Sequence, residues 1–281
     1  MTTNPTSHRR VRASGVYAIT LALAAGAIAL PAAPAHAADP ITAADQSYFA
    51  YYHLDQARTK GYTGKGVTIA LIDGEVDTTA PELAGATIID KSPCTVHSST
   101  QSKSHATAVA SLLVSKAYGV APDATLLTYR TSFEDEGEDT AAGCAVHNGN
   151  GIEENNSLIN RAISDGAQII SISSSDEDFD EATKWTIARA NARGVIVVTA
   201  MGNTAKDETD TGLAKWSGVV GVGAIDTAGK VASYSSWGQG TTTAAVGGPI
   251  IVRNYQTGNK ATTDGTSYST PLIAGFLALD R

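Results

Sequence analysis

Val67-Thr68-Ile69-Ala70-Leu71-Ile72 is a nearly continuous apolar run, and Asp73 closes it. A strand that is apolar on both faces belongs inside a parallel sheet covered by helices. Gly61 to Gly66 (GYTGKG) precedes it as a turn. Outward from this stretch, further strands are expected at Thr87–Ile89, Leu126–Tyr129, Gln168–Ile172, Val195–Thr199 and Val219–Ile225. Helices are expected at His105–Lys116, Asn156–Ser164 and Phe179–Arg193, the last stopped by Gly194, and a final helix starts at Ser267. Residues 230–263 read as irregular strands and turns. Strands alternating with helices of this length predict an α/β fold: a doubly wound, mainly parallel sheet with helices on both faces. Sites in such sheets lie past the C-terminal strand ends, where Asp73 and Asn203 both fall.

The N-terminus has a different character. Arg9, Arg10 and Arg12 precede a 15-residue apolar run, Val16–Leu30, and Ala35-His36-Ala37 is a small-x-small cleavage pattern. Residues 1–37 are expected to be a secretory signal peptide, followed by a polar and aromatic lead-in over 38–60. The apolar run is shorter than the roughly 20 residues that span a bilayer. The mature chain is therefore expected to be secreted, with no stable membrane span. The Arg9-Arg10 pair leaves general and twin-arginine export both open. Removing the three signal arginines takes the formal charge from −8 to −11, which disfavours nucleic acid or an anionic membrane as partner.

Two cysteines remain, Cys94 and Cys144. An even count in an exported chain favours a disulfide. Cys94-x-x-His97 and Cys144-x-x-His147 also make a two-Cys, two-His set of the kind that holds zinc, and free thiols are the third reading. Two acidic runs, Glu134–Asp139 and Asp176–Glu181, read as solvated loop charge or as oxygen ligands for a structural calcium.

The chemistry-bearing residues are Asp73, His105 and Ser267, in that chain order, each at the edge of an element. A serine hydroxyl becomes nucleophilic at neutral pH when an imidazole takes its proton and a carboxylate orients the imidazole. His105 opens the apolar helix His105-Ala106-Thr107-Ala108-Val109-Ala110. Ser267, in Gly265-Thr266-Ser267, sits at a helix start, where its N–H is unpaired and can face an oxyanion; the same residues taken singly also read as a helix cap. Asp77 is the alternative orienter, since Val76-Asp77-Thr78 partly repeats the pattern around Asp73.

Together these segments resemble the subtilisin-like serine peptidase family. The resemblance covers about residues 60–281. The family's G-T-S-x-x-x-P-x-x-A-G is matched throughout by Gly265–Gly275, and its H-G-T-x-V-A is matched except at Ala106. Ala200-Met201-Gly202-Asn203 is similar to its A-x-G-N, and Ser171–Ser175 to its substrate-binding strand. The resemblance implies a peptidase domain over 61–281, with Asp73, His105 and Ser267 catalytic and Asn203 donating to the oxyanion. Ser173, Ser174 and Ser175 would bind a protein or peptide substrate, and the chemistry needs no cofactor. The chain departs from the family at Ala106, at Gly74-Glu75 where a hydroxyl residue and glycine are usual, and at Ser175 where glycine is usual. About 23 residues stand where the family often has a long pro-region, and 14 follow Ser267, a C-terminally short arrangement. The leading expectation is a secreted serine endopeptidase. The alternatives are a catalytically inactive secreted relative that binds peptides and a zinc-stabilised structural protein.

Overall fold

The computed structural model describes residues 39–93, 99–131, 155–173, 181–210 and 212–281. The signal segment, Cys94, Cys144, His97, His147, Ser174, Ser175 and, apart from Glu181, the acidic runs lie outside the described residues.

Seven strands form one sheet: β1 (Thr68–Asp73), β2 (Thr87–Asp90), β3 (Thr125–Arg130), β4 (Ile169–Ile172), β5 (Ile196–Ala200), β6 (Val219–Ile225) and β7 (Thr241–Val246). Their order is β2-β3-β1-β4-β5-β6-β7, and every neighbouring pair is parallel. β1 lies between β3 and β4, where the winding reverses direction. A crevice opens at such a switch point beyond the strand's C-terminal end, and that end of β1 is Asp73.

The helices are α1 (Ser47–Tyr51), α2 (Leu54–Thr59), α3 (Thr100–Val114), α4 (Asn155–Ser164), α5 (Glu181–Ala192) and α6 (Thr266–Leu279). Two cores follow from the two-residue period of the strands. Ile69 and Leu71 of β1 join Val109, Leu112 and Leu113 of α3 and Leu272 and Ala274 of α6 on one face. Ala70 and Ile72 join Leu158, Ile159 and Ile187 of α4 and α5 on the other. Asp73 shares the parity of Ile69 and Leu71, so it is directed to the face that carries His105 and Ser267.

One boundary needs correction, and two expectations gain detail. α3 begins at Thr100, so His105 lies in its second turn. The polar start Thr100-Gln101-Ser102-Lys103 hides this turn, yet the Ser99 side chain caps it by accepting from the Ser102 N–H. Residues 39–60 are part of the fold, because Ile41, Tyr48 and Leu54 are buried in the α3/α6 core. Finally, 230–263 holds the edge strand β7 and an antiparallel hairpin of β8 (Ile250–Arg253) and β9 (Lys260–Thr263).

Candidate active site

Asp73 is buried, with 1% of its surface exposed. Its Oδ1 accepts from the Gly74 N–H at 2.8 Å and lies 3.0 Å from His105 Nδ1. The His105 ring also meets Tyr268, with ring centroids 5.5 Å apart. Burial of the ring pulls its pKa down, but the charge of Asp73 and the hydrogen bond to it prevail and hold His105 above the ordinary imidazole value. Asp77, the alternative orienter, is engaged elsewhere: its Oδ1 accepts from the Thr79 N–H at 3.0 Å and the Thr79 hydroxyl at 2.6 Å.

Ser267 is the second residue of α6. Gly265, before the helix, has φ +153°, a backbone shape that a side chain would strain. A Cβ at Gly265 would stand 3.1 Å from Ser267 Oγ and 3.3 Å from Asn203 Nδ2. The absent side chain thus leaves a small open space between a hydroxyl and an amide donor. Asn203 is oriented by Thr266: its Oδ1 accepts from the Thr266 N–H at 2.8 Å and the Thr266 hydroxyl at 3.0 Å, which turns Nδ2 to the open side. The Thr266 hydroxyl in turn accepts from the Gly202 N–H at 3.1 Å. The loop after β5 is therefore stitched to the start of α6.

Pro271 lies inside α6. It has no N–H, so the Ser267 carbonyl loses its partner four residues on. The Ser173 hydroxyl replaces that donor, bonding to Ser267 O at 3.0 Å. Ser173 was expected among the substrate-binding residues, but its side chain is turned inward onto α6. Ser171 lies within β4, paired to Leu71 of β1 on one side and Val198 of β5 on the other, so no further strand can be added there. Any added strand has to pair beyond Ile172.

The sequence pattern of the subtilase family matches residues 64–280. The chain belongs to the subtilase family. A thermostable alkaline protease of Halalkalibacterium halodurans is 30% identical over 238 residues, covering 82% of this chain and 60% of the relative. Subtilisin E of Bacillus subtilis is 29% identical over 232 residues, covering 79% and 57%. The chain thus spans roughly three fifths of the length of these relatives. A cold-adapted subtilisin-like serine proteinase shares the fold, with TM-score 0.61 at 24% identity over 78% of this chain and 76% of the other. The self-cleaved protease domain of PatA gives TM-score 0.61 at 26% identity over 77% and 80%.

Two departures from the subtilase pattern are absorbed by packing. Ala106 is fully buried in the α3/α6 core, and the His105–Asp73 contact is kept beside it. Glu75, a second carboxylate next to Asp73, sits 3.1 Å from Lys103 and 3.5 Å from Arg130, so its charge is matched. Beside His105, a cavity of about 350 Å³ opens between α3 and the β8–β9 hairpin, lined by Ser104, Val252, Arg253, Tyr255 and Tyr268 among others. Thr266 and Gly265 were not singled out from sequence as site residues, although both lie inside the G-T-S motif.

Among the described residues no cluster of His, Cys, Asp and Glu is suited to a metal ion, and no helix is long and apolar enough to cross a membrane.

Proposed function

We propose that this subtilase is an exported serine endopeptidase, and the observation that carries the reading is the 3.0 Å His105–Asp73 contact on the face that also bears Ser267 and Asn203. With Nδ1–H held by Asp73, the ring presents Nε2 as the base. Ser267 Oγ attacks the peptide carbonyl carbon and its proton passes to Nε2. The carbonyl π electrons move onto oxygen, which is received by the Ser267 N–H and Asn203 Nδ2. Collapse of the tetrahedral intermediate expels the amine, which takes the proton from His105. Water, deprotonated by His105, then attacks the acyl carbon, and His105 returns that proton to Ser267 Oγ as the acyl–oxygen bond breaks.

The substrate is a protein or peptide whose backbone pairs along Ser173–Ser175, past the point where β4 is enclosed. Residues 1–37 act as the signal peptide, and Cys94 pairs with Cys144 after export. No cofactor takes part in the chemistry; calcium, where bound, belongs to the acidic runs.

The test is labelling of the purified chain with a fluorophosphonate probe beside a Ser267→Ala control. Labelling of the wild type alone is expected. A folded wild type that does not label would sink the peptidase reading and leave a peptide-binding relative.

A further inference from the structure

Two buried polar atoms beside the His105–Asp73 contact have no hydrogen-bond partner: Asp73 Oδ2 and Ser102 Oγ. Asp73 ends β1, and Ser102 lies on α3 three residues before His105. Gly74 stands between them. A Cβ on Gly74 would overlap the Ser102 hydroxyl and come within 3.0 Å of Ser102 O. The hydroxyl on α3 therefore fills the place that a side chain at position 74 would occupy. An unpaired carboxylate oxygen and an unpaired hydroxyl are each costly in a buried setting. Here one needs a donor and the other can supply it.

We propose that Ser102 is a positioning residue for Asp73: its hydroxyl donates to Asp73 Oδ2, by rotation about χ1 or through one buried water, and so holds the carboxylate that orients His105. The charged groups around the pair have other partners. Lys103 lies 3.1 Å from Glu75, and Arg130 lies 3.5 Å from Glu75 and 2.8 Å from Asp90. Tyr268 packs against the imidazole. None of them bonds to Oδ2. A bridging water needs a polar site with two or more partners, which the hydroxyl and the carboxylate oxygen provide. The catalytic consequence rests on the peptidase reading, but the bond can be read without it.

The experiment is NMR titration of the His105 imidazole in the full chain, wild type against Ser102→Ala, with fluorophosphonate labelling rates measured across pH. A carboxylate that loses a donor keeps more charge for the imidazolium, so the His105 pKa is expected to rise by about half a unit. Labelling is expected to slow about tenfold, the scale of a hydrogen bond to a charged group. Gly74→Ser combined with Ser102→Gly returns a hydroxyl from the β1 side and is expected to bring labelling back to within about threefold of wild type and the imidazole pKa to within about 0.2 unit. A folded Ser102→Ala protein with wild-type imidazole pKa and labelling profile overturns the proposal. Should Ser102→Ala not fold, Ser102→Cys decides: its weak thiol donor is expected to raise the His105 pKa, and a wild-type pKa overturns the proposal. A wild type that fails to label defeats the peptidase reading, while the titration still reports on Ser102.

Discussion

Two opposing influences meet on the His105 ring. Burial favours the neutral imidazole, whereas the Asp73 carboxylate favours the imidazolium and prevails. The raised pKa carries two pH dependences of opposite sense. A base must be neutral to accept the Ser267 proton, so labelling is expected to rise with pH through a midpoint above the ordinary imidazole value of about 6.5. Folding stability runs the other way. Because the folded state holds this proton more tightly than the unfolded one, the contribution is fully present below the unfolded pKa and is lost as pH rises through the folded pKa. Labelling rates and denaturation midpoints measured on one pH series check both limbs. Asp73→Asn removes the carboxylate, and its labelling midpoint should fall toward or below the ordinary value. A midpoint unmoved by that substitution would separate Asp73 from the proton on His105. Asp73 and Ser267 stood out in the sequence because one ends an apolar strand and the other starts a helix, and His105 because it leads the apolar part of α3. Ser102 was not, since an isolated serine in a polar helical turn carries no signal until Gly74 is seen against it.

At the level of elements, α6 contains a proline, and its position decides what another element must provide. Pro271 leaves the Ser267 carbonyl without an intrahelical donor, and Ser173, just after β4, supplies one from across the core. Ser173→Ala is therefore expected to leave a buried carbonyl unpaired, at a cost of about 1–3 kcal/mol measured by chemical denaturation. Labelling should also slow, because the same bond sets the start of α6. A stability within about 0.5 kcal/mol of wild type would mean that water reaches this carbonyl. The parallel core was readable because β1, β4, β5 and β6 are almost uninterrupted apolar runs. The start of α3 was missed, since the polar residues Thr100 to Lys103 show no apolar period and only the Ser99 cap betrays the turn. β7 was missed for a related reason: its first residues, Thr241-Thr242-Thr243, lie toward the surface of an edge strand, and edge strands lack the apolar run that marks interior ones.

On the scale of the whole molecule, one side chain joins parts distant in sequence. Arg253 ends β8, on the wall of the cavity beside His105. Its Nε donates to Glu82 Oε1 at 3.0 Å and its Nη2 bonds the same oxygen. Nη1 donates to Gly258 O at 2.8 Å in the hairpin loop, and Nη2 also to Asp39 O at 3.0 Å in the N-terminal segment. Gln46 adds paired bonds to Ile251, 2.8 Å to its carbonyl and 3.2 Å from its N–H, and Lys260 reaches Asp45 at 3.0 Å. The hairpin is thus fastened to the β1–β2 connection and to residues 39–60 by polar contacts. None of them is visible as a sequence pattern, because the partners lie about 170 to 215 positions apart. The Glu82 and Arg253 side chains are only 5% and 10% exposed. Removing one partner of so buried a pair strands the other charge, so Glu82→Ala is expected to cost about 3–5 kcal/mol in chemical denaturation. Replacing both with apolar residues of similar volume, Glu82→Met with Arg253→Leu, should recover most of that loss, since no uncompensated charge remains. A Glu82→Ala loss below about 1 kcal/mol, the range of exposed pairs, would show that water reaches the guanidinium and that the wall of the cavity is held by Gln46 and Lys260 instead.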